Sequence, residues 1–231
     1  MTITETEIRH IKTLPIFAGI DPQVQNQILS EGTVQVYSRG TTIFVQGDPV
    51  DRFFIVLTGW VMLYRMQPNG QVTTLGIFGP GESFAEGAMH MKTGYPAFAD
   101  MLSTGRLLEI PTEPFINQIR NDPDLALAML ASMAGKLKSF TSRLERMATL
   151  TAPQRVAVFL LRFVQPDEGG QGGDIIELPY DKQLIASRLG MSSETLSRSF
   201  RKLGDHGVVV ESNKVHISDV AVLKKFSEPG A

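Results

Sequence analysis

The chain contains no cysteine. That absence excludes disulfides, thiolate metal sites, cysteine-ligated iron–sulfur clusters and cysteine nucleophiles. No apolar run approaches the roughly 20 residues a membrane helix needs. The opening MTITETEIRH lacks the apolar core of a secretion signal, so a cytoplasmic protein with no membrane partner is expected. An excess of either charge is missing too. Lys and Arg total 22 against 24 Asp and Glu, a formal net charge of -2. This argues against a broadly basic nucleic-acid coat but leaves room for a local basic edge. No nucleophile–base constellation, P-loop or metal-ligand spacing is visible, so an enzyme is not expected. What remains is a chain of 231 residues, 42% hydrophobic, long enough for two modest domains with their own cores.

In chain order, Thr4 to Leu29 reads as broken helix. Ile8, Ile11 and Leu14 form one stripe, Pro15 interrupts it, and Asp21-Pro22 opens a second helix. From Gly32 to Glu109 the pattern becomes short strands punctuated by glycine turns: 34–37, 42–46, 53–57, 61–65 and 72–77, with closing strands within 101–110. Pro68-Asn69-Gly70 is a hairpin signal. Ser83 to Tyr95 breaks the alternation and predicts a short helix over 84–91, whose N-terminal N–H groups could face an anion. Met89, Met91 and Phe98 are expected to give it an apolar setting.

A helix begins at Pro111 and ends near Arg120, and a long one follows from Asp124 to about Thr149. Leu130, Leu137 and Leu144 recur every seven residues, as do Met133, Phe140 and Met147 offset by three. Together they form an a/d seam suited to a homodimer, while Leu125, Leu127 and Met129 are expected to pack on the strands. Thr151 opens a second helical region, broken by the exposed loop Pro166–Gly173. Asp181 to Leu203 then reads as two helices meeting at Leu189-Gly190-Met191. Ser192 is the N-cap of the second, and Leu196, Phe200 and Leu203 are its buried face. The opposite face offers Ser193, Glu194, Ser197, Arg198, Arg201 and Lys202. Arginine can make two parallel hydrogen bonds to a guanine edge, and glutamate can accept from cytosine N4. This is a helix-turn-helix pattern. Val208–Val210, a turn near Ser212–Lys214 and Val215–Ile217 follow as a wing, with Lys214 at its tip a phosphate-contact candidate.

The order of elements is an α+β arrangement. A sensor β-roll with N-terminal helices occupies residues 1–120, a dimerisation helix and hinge 121–149, and a winged helix-turn-helix 150–231. This order, the segments RGTTIFVQGDPVDRFFIVLTGWVMLYRMQPNGQ and GPGESFAEGAMH, and the motif SSETLSRSFRKL resemble the CRP/FNR family of bacterial transcription regulators across nearly the whole chain. The resemblance implies a homodimeric, effector-controlled regulator of double-stranded DNA, acting as an activator with RNA polymerase. Family recognition helices read E-T-x-x-R, which Glu194, Thr195 and Arg198 match. Ser193 and Ser197 place the helix in the FNR-like branch, for which a TTGAT-N4-ATCAA-type palindrome is expected. Glu194, Ser197 and Arg198 would then read bases, with Ser193, Thr195 and Arg201 beside them.

The resemblance places the effector pocket at Phe84, Ala85, Glu86 and Tyr95, where the chain departs from the cyclic-nucleotide pattern. Ala85 stands where that pattern has glycine before the glutamate, and Tyr95-Pro96 stands where it has the Arg-Ser that grips phosphate. Losing a charge-assisted arginine contact costs roughly 1.5–3 kcal/mol, so cyclic AMP is disfavoured. A cyclic-nucleotide-responsive regulator or nucleotide-binding module remains the alternative reading. FAEGAMHM is similar to the nitric-oxide-responsive Dnr branch, which makes haem a candidate cofactor. His10 and His90 are then its candidate ligands; no other metal site is expected.

Overall fold

Strands that alternate between two apolar faces need cover on both sides, and the N-terminal half supplies it with a second sheet and with helices. In a computed structural model of the chain, residues 3–228 are described apart from Pro15, Ala18, Gly19, Asn69, residues 165–172, Pro179 and Tyr180; for Arg143 only the backbone is described. The expected Pro15 break, Asn69 of the hairpin turn and all of the Pro166–Gly173 loop except Gly173 therefore lie outside the described residues. The chain divides into two compact units, 1–138 and 139–231.

In the first unit, α1 (Glu5–Lys12) and α2 (Pro22–Glu31) lead into β1 (Thr33–Tyr37), β2 (Thr42–Phe44), β3 (Arg52–Thr58), β4 (Val61–Met66), β5 (Val72–Phe78), β6 (Ser83–Phe84), β7 (Phe98–Met101) and β8 (Gly105–Pro111). Two antiparallel four-stranded sheets result, ordered β1-β8-β3-β6 and β2-β7-β4-β5. The register of β3 on β8 explains the layering. Phe53 and Ile55 oppose Ile110 and Leu108 and join the core under the helices, while Phe54 and Val56 oppose Glu109 and Leu107 and face the roll interior. The interior is aromatic: Phe44 stacks on Tyr95 at 3.8 Å between centroids and Phe54 on Phe84 at 5.0 Å.

A buried carboxylate borders that interior. Glu109, 4% exposed, accepts from the Tyr37 hydroxyl and from Arg52. Arg52 also donates to both oxygens of Asp51, at 3.1 and 2.7 Å. A buried carboxylate without partners is costly, and this network satisfies it. Burial and the Glu109 contact together push the Tyr37 phenol well above its ordinary value.

α3 (Thr112–Asn121) and the first turns of α4 (Pro123–Thr149) close the unit. The sheet-side stripe of α4 is Leu125, Ala128 and Met129, all buried. Leu127, expected to pack with them, is 62% exposed. The reason is angular: positions three and four apart share a helix face, and position two apart does not.

The second unit holds α5 (Ala152–Leu161), β9 (Asp174–Glu177), α6 (Lys182–Arg188), α7 (Ser193–Leu203), β10 (Val208–Glu211), β11 (Lys214–Ile217) and α8 (Val220–Phe226), with the sheet ordered β10-β11-β9. Val156, Leu160, Ile185, Leu196, Leu203, Val215 and Leu223 form its buried centre. No helix among the described residues is long and apolar enough to cross a membrane.

Candidate DNA-reading face and sensor turn

α7 begins where the sequence expects. The Ser192 hydroxyl accepts from the Thr195 N–H at 3.2 Å, filling one of the orphan donors of the first turn. Leu196, Ser199, Phe200 and Leu203 are buried, so the helix is held by one face. Ser193, Glu194, Ser197, Arg198, Arg201 and Lys202 are all exposed on the other. Glu194 and Arg198 are one turn apart with 3.9 Å between charged atoms, and their side chains are 80% and 64% exposed. That pair adds little to stability, and both groups keep hydrogen-bonding capacity for a partner. Thr195 is placed differently from its neighbours: its hydroxyl lies 3.0 Å from that of Ser192, within the cap.

Lys214 needs correction. The tip of the wing is Ser212-Asn213, where Ser212 takes φ +58, a conformation that two-residue hairpin turns require. Lys214 is the first residue of β11, exposed, and flanked across the sheet by Glu211 and Glu177. The two-residue turn ends one position earlier than the sequence suggests.

At the sensor turn the expected helix over 84–91 does not form. Phe84 is drawn into the sheet opposite Phe54, Ala85 turns to φ +68, and only Glu86–Ala88 makes one 3-10 turn. The anion-binding helix N-terminus is therefore absent. The expected apolar setting also divides: Met89 is buried in the helix-covered core, Met91 is 46% exposed, and Phe98 stacks on Tyr64. Ala85 occupies a left-handed backbone position that glycine adopts freely and a Cβ disfavours by roughly 1–2 kcal/mol. That is a physical reason for glycine at this point in the cyclic-nucleotide pattern.

Of the remaining pocket residues, Phe84 and Tyr95 are buried in the aromatic interior. The Tyr95 hydroxyl donates to the Arg52 carbonyl at 2.6 Å, and burial pushes its phenol up to about 12. Glu86 is buried too, and its partner was not expected: Lys136, on α4. The Lys136 ammonium contacts Glu86 Oε1 and lies 3.1 Å from the Ser83 carbonyl and 3.3 Å from the Ser83 hydroxyl. Three acceptors meet its three donors. Lys136 continues the sheet-side stripe through Ser132, which is 5% exposed. The spacing Leu125, Met129, Ser132, Lys136 is the signal that could have found it.

Lys136 is held by Glu86 and Arg52 by Asp51 and Glu109, while exposed Arg65 donates through Nε to the Pro96 carbonyl at 3.1 Å. Both candidate haem ligands are exposed. His10 backs onto the turn at Gly81, its Nε2 2.6 Å from where a Cβ there would lie, and His90 follows the 3-10 turn. No group of three or more metal-ligating side chains occurs among the described residues.

Burial pushes the Lys136 ammonium down to about 8, opposed by the charge of Glu82. A lysine that holds its proton less tightly when folded makes stability rise with pH between its folded and unfolded values. Stability should therefore climb from about pH 8 towards the ordinary lysine value of 10.5. Lys136→Met should remove that climb, as read by chemical denaturation at fixed salt.

The seam residues are placed on the open side of α4. Leu130, Leu137 and Leu144 are 63%, 65% and 66% exposed, and Met133, Phe140 and Met147 are 49%, 58% and 42% exposed. A contiguous row of large exposed apolar side chains on one helix marks an interaction surface.

Comparison with known proteins agrees with this layout. The cyclic nucleotide-binding domain family matches residues 34–122, and the Crp-like helix-turn-helix domain family matches residues 154–226. The chain is 30% identical over 219 residues to the cyclic AMP receptor protein of Thermus thermophilus, spanning 94% of this chain and 98% of that one. A Ruegeria pomeroyi crystal structure, described as a candidate cyclic nucleotide binding protein, is similar with a TM-score of 0.79 and 34% identity over 98% of this chain and 99% of that one. The crystal structure of DNR from Pseudomonas aeruginosa is similar with a TM-score of 0.58 and 27% identity over 98% of this chain and 100% of that one.

Proposed function

The chain belongs to the CRP/FNR family of DNA-binding transcription regulators, and on that premise we propose that it binds a TTGAT-N4-ATCAA-type palindrome as a homodimer. The observation that carries this reading is the exposed polar face of α7, where Glu194, Ser197 and Arg198 project from a helix held by its opposite side. The α4 seam would pair two such helices about one DNA turn, roughly 34 Å, apart. Glu194, Ser197 and Arg198 would touch base edges, with Ser193 and Arg201 alongside. Thr195 would act through the cap it shares with Ser192. Lys214 would touch the backbone, and activation would run through RNA polymerase. The chain is read as a regulator and not as an enzyme. The domain boundaries proposed are 1–120, 121–149 and 150–231, with α4 continuous through the hinge.

Affinity for the palindrome, measured by fluorescence anisotropy over a salt series, tests the reading. Equal affinity for a scrambled duplex sinks it. In the same series Lys214→Ala should weaken binding to all sequences alike and reduce the salt slope by about 1 per protomer.

The effector would act at the sensor turn by shifting the equilibrium between two settings of α4, with the Lys136–Glu86 contact as the link. Cyclic AMP is disfavoured by charge: Ala85, Glu86 and Tyr95 offer no cation, and Lys136 is already engaged. The Thermus relative keeps the cyclic-nucleotide reading as the alternative, and calorimetry with cyclic AMP and cyclic GMP decides it. The resemblance of FAEGAMHM to the nitric-oxide-responsive Dnr branch is what supports the haem and nitric oxide reading. Exposed His10 and His90 do not form a buried haem site, so no step is assigned to haem. Absence of a Soret band with added haem, with and without nitric oxide, removes that reading.

A further inference from the structure

The turn between α6 and α7 is closed by two backbone hydrogen bonds, from Gly190 N–H to the Ser187 carbonyl at 3.1 Å and from Met191 N–H to the Ala186 carbonyl at 3.0 Å. Gly190 sits at φ +63, and the side of its Cα that lacks a side chain is occupied. A Cβ there would lie 2.8 Å from Met147 Cε and 3.9 Å from its sulfur. The thioether end of Met147 is therefore seated on the helix-turn-helix turn. Met147 is also the last member of the apolar row on α4. At 42% it is the least exposed of the six seam residues, which otherwise range from 49% to 66%. One side chain thus meets the reader turn and still presents much of its surface on the seam side.

We infer that Met147 is a positioning residue for DNA reading, which sets the turn at Gly190, and hence the pitch of α7, according to how the α4 seam is packed. The inference rests on α4 being the dimer seam and α7 the reader. Its physics is local. The turn is tight, with no side chain of its own on that face, so what packs there helps fix the angle between α6 and α7. Glu194 and Arg198 lie in the first turns of α7, and their reach to base edges depends on that angle within a few tenths of an ångström. Methionine suits a contact that must follow a moving partner, being unbranched and soft. A shift of the helices across the seam moves Met147 and so moves the turn. Backbone and phosphate contacts from elsewhere in the unit would not feel it.

The test compares the full-length wild type with Met147→Ala and Met147→Leu. Sedimentation equilibrium reads the dimer and thermal melting the fold. Anisotropy reads binding to the palindrome and to a scrambled duplex, at protein concentrations well above the dimer dissociation constant. Compared at concentrations where sedimentation shows both proteins fully dimeric and melting shows both folded, Met147→Ala should lose about tenfold in palindrome affinity and keep its scrambled-duplex affinity. Met147→Leu, of similar volume, should restore most of the loss. Wild-type palindrome affinity in Met147→Ala overturns the inference. So does a loss that disappears once protein concentration restores the dimer, because Met147 would then be a seam residue and nothing more. If Leu137→Asp leaves the dimer intact, the underlying seam reading fails, a result separate from either.

Discussion

Arg198→Ala should abolish sequence-specific binding while leaving the fold untouched. A bidentate arginine–guanine contact contributes roughly 1–3 kcal/mol of base discrimination, and a dimer makes it in both half-sites. The expected loss is then about 2–6 kcal/mol, or roughly thirty-fold to more than ten-thousand-fold in affinity. The folded protein should not notice. Arg198 is 64% exposed and its contact to Glu194 spans 3.9 Å, the kind of surface pair that adds little stability. Anisotropy on the palindrome against a scrambled duplex, alongside a thermal melt, checks both halves of the prediction. Discrimination should relax most at the base that Arg198 faces. An Arg198→Ala protein that binds the palindrome as tightly as the wild type would show that α7 is not the reader.

Leu137→Asp with Leu144→Asp should convert the protein to a monomer. Burying a leucine fully is worth roughly 1.5–3 kcal/mol, and a two-fold seam counts each position twice. The substitution removes that gain and adds carboxylates facing each other across the axis. Because both leucines stand about two-thirds exposed on the single chain, at 65% and 66%, the monomer fold should melt as before. Sedimentation should show the dimer lost at micromolar concentration, and palindrome affinity should fall with it, since one half-site then binds alone. A double variant that still sediments as a dimer would place the dimer contact elsewhere.

Where sequence and structure agree, the reason is periodicity. Leu196, Phe200 and Leu203 announce a helix buried on one side, and the opposite face follows from counting. The strands between Thr33 and Pro111 announce themselves by glycine turns, and the winged unit by the order of its elements. The misses fall where local pattern competes with a neighbour in space. Residues 84–91 have helical composition, but Phe84 has a place in the sheet beside Phe54, and Ala85 is bent to φ +68 to leave it. Sheet pairing outweighed local propensity there. Lys214 misses by one residue because hairpin register is set by turn geometry, not composition.

The sequence alone pointed to the class of this protein: no cysteine for a redox cluster, an apolar heptad row on one long helix, and a polar face opposite a buried one on a second helix. These are properties of residue type and of distance along the chain, and both are complete before folding. Only the tertiary structure decided what the pocket charges do. Glu86 and Lys136 are 50 residues apart, Arg52 and Glu109 are 57 apart, and no periodicity connects them. Gly190 and Met147 likewise meet only in the folded unit. An ion pair or a seated thioether depends on distance in space, which the chain acquires when its sheets and helices pack.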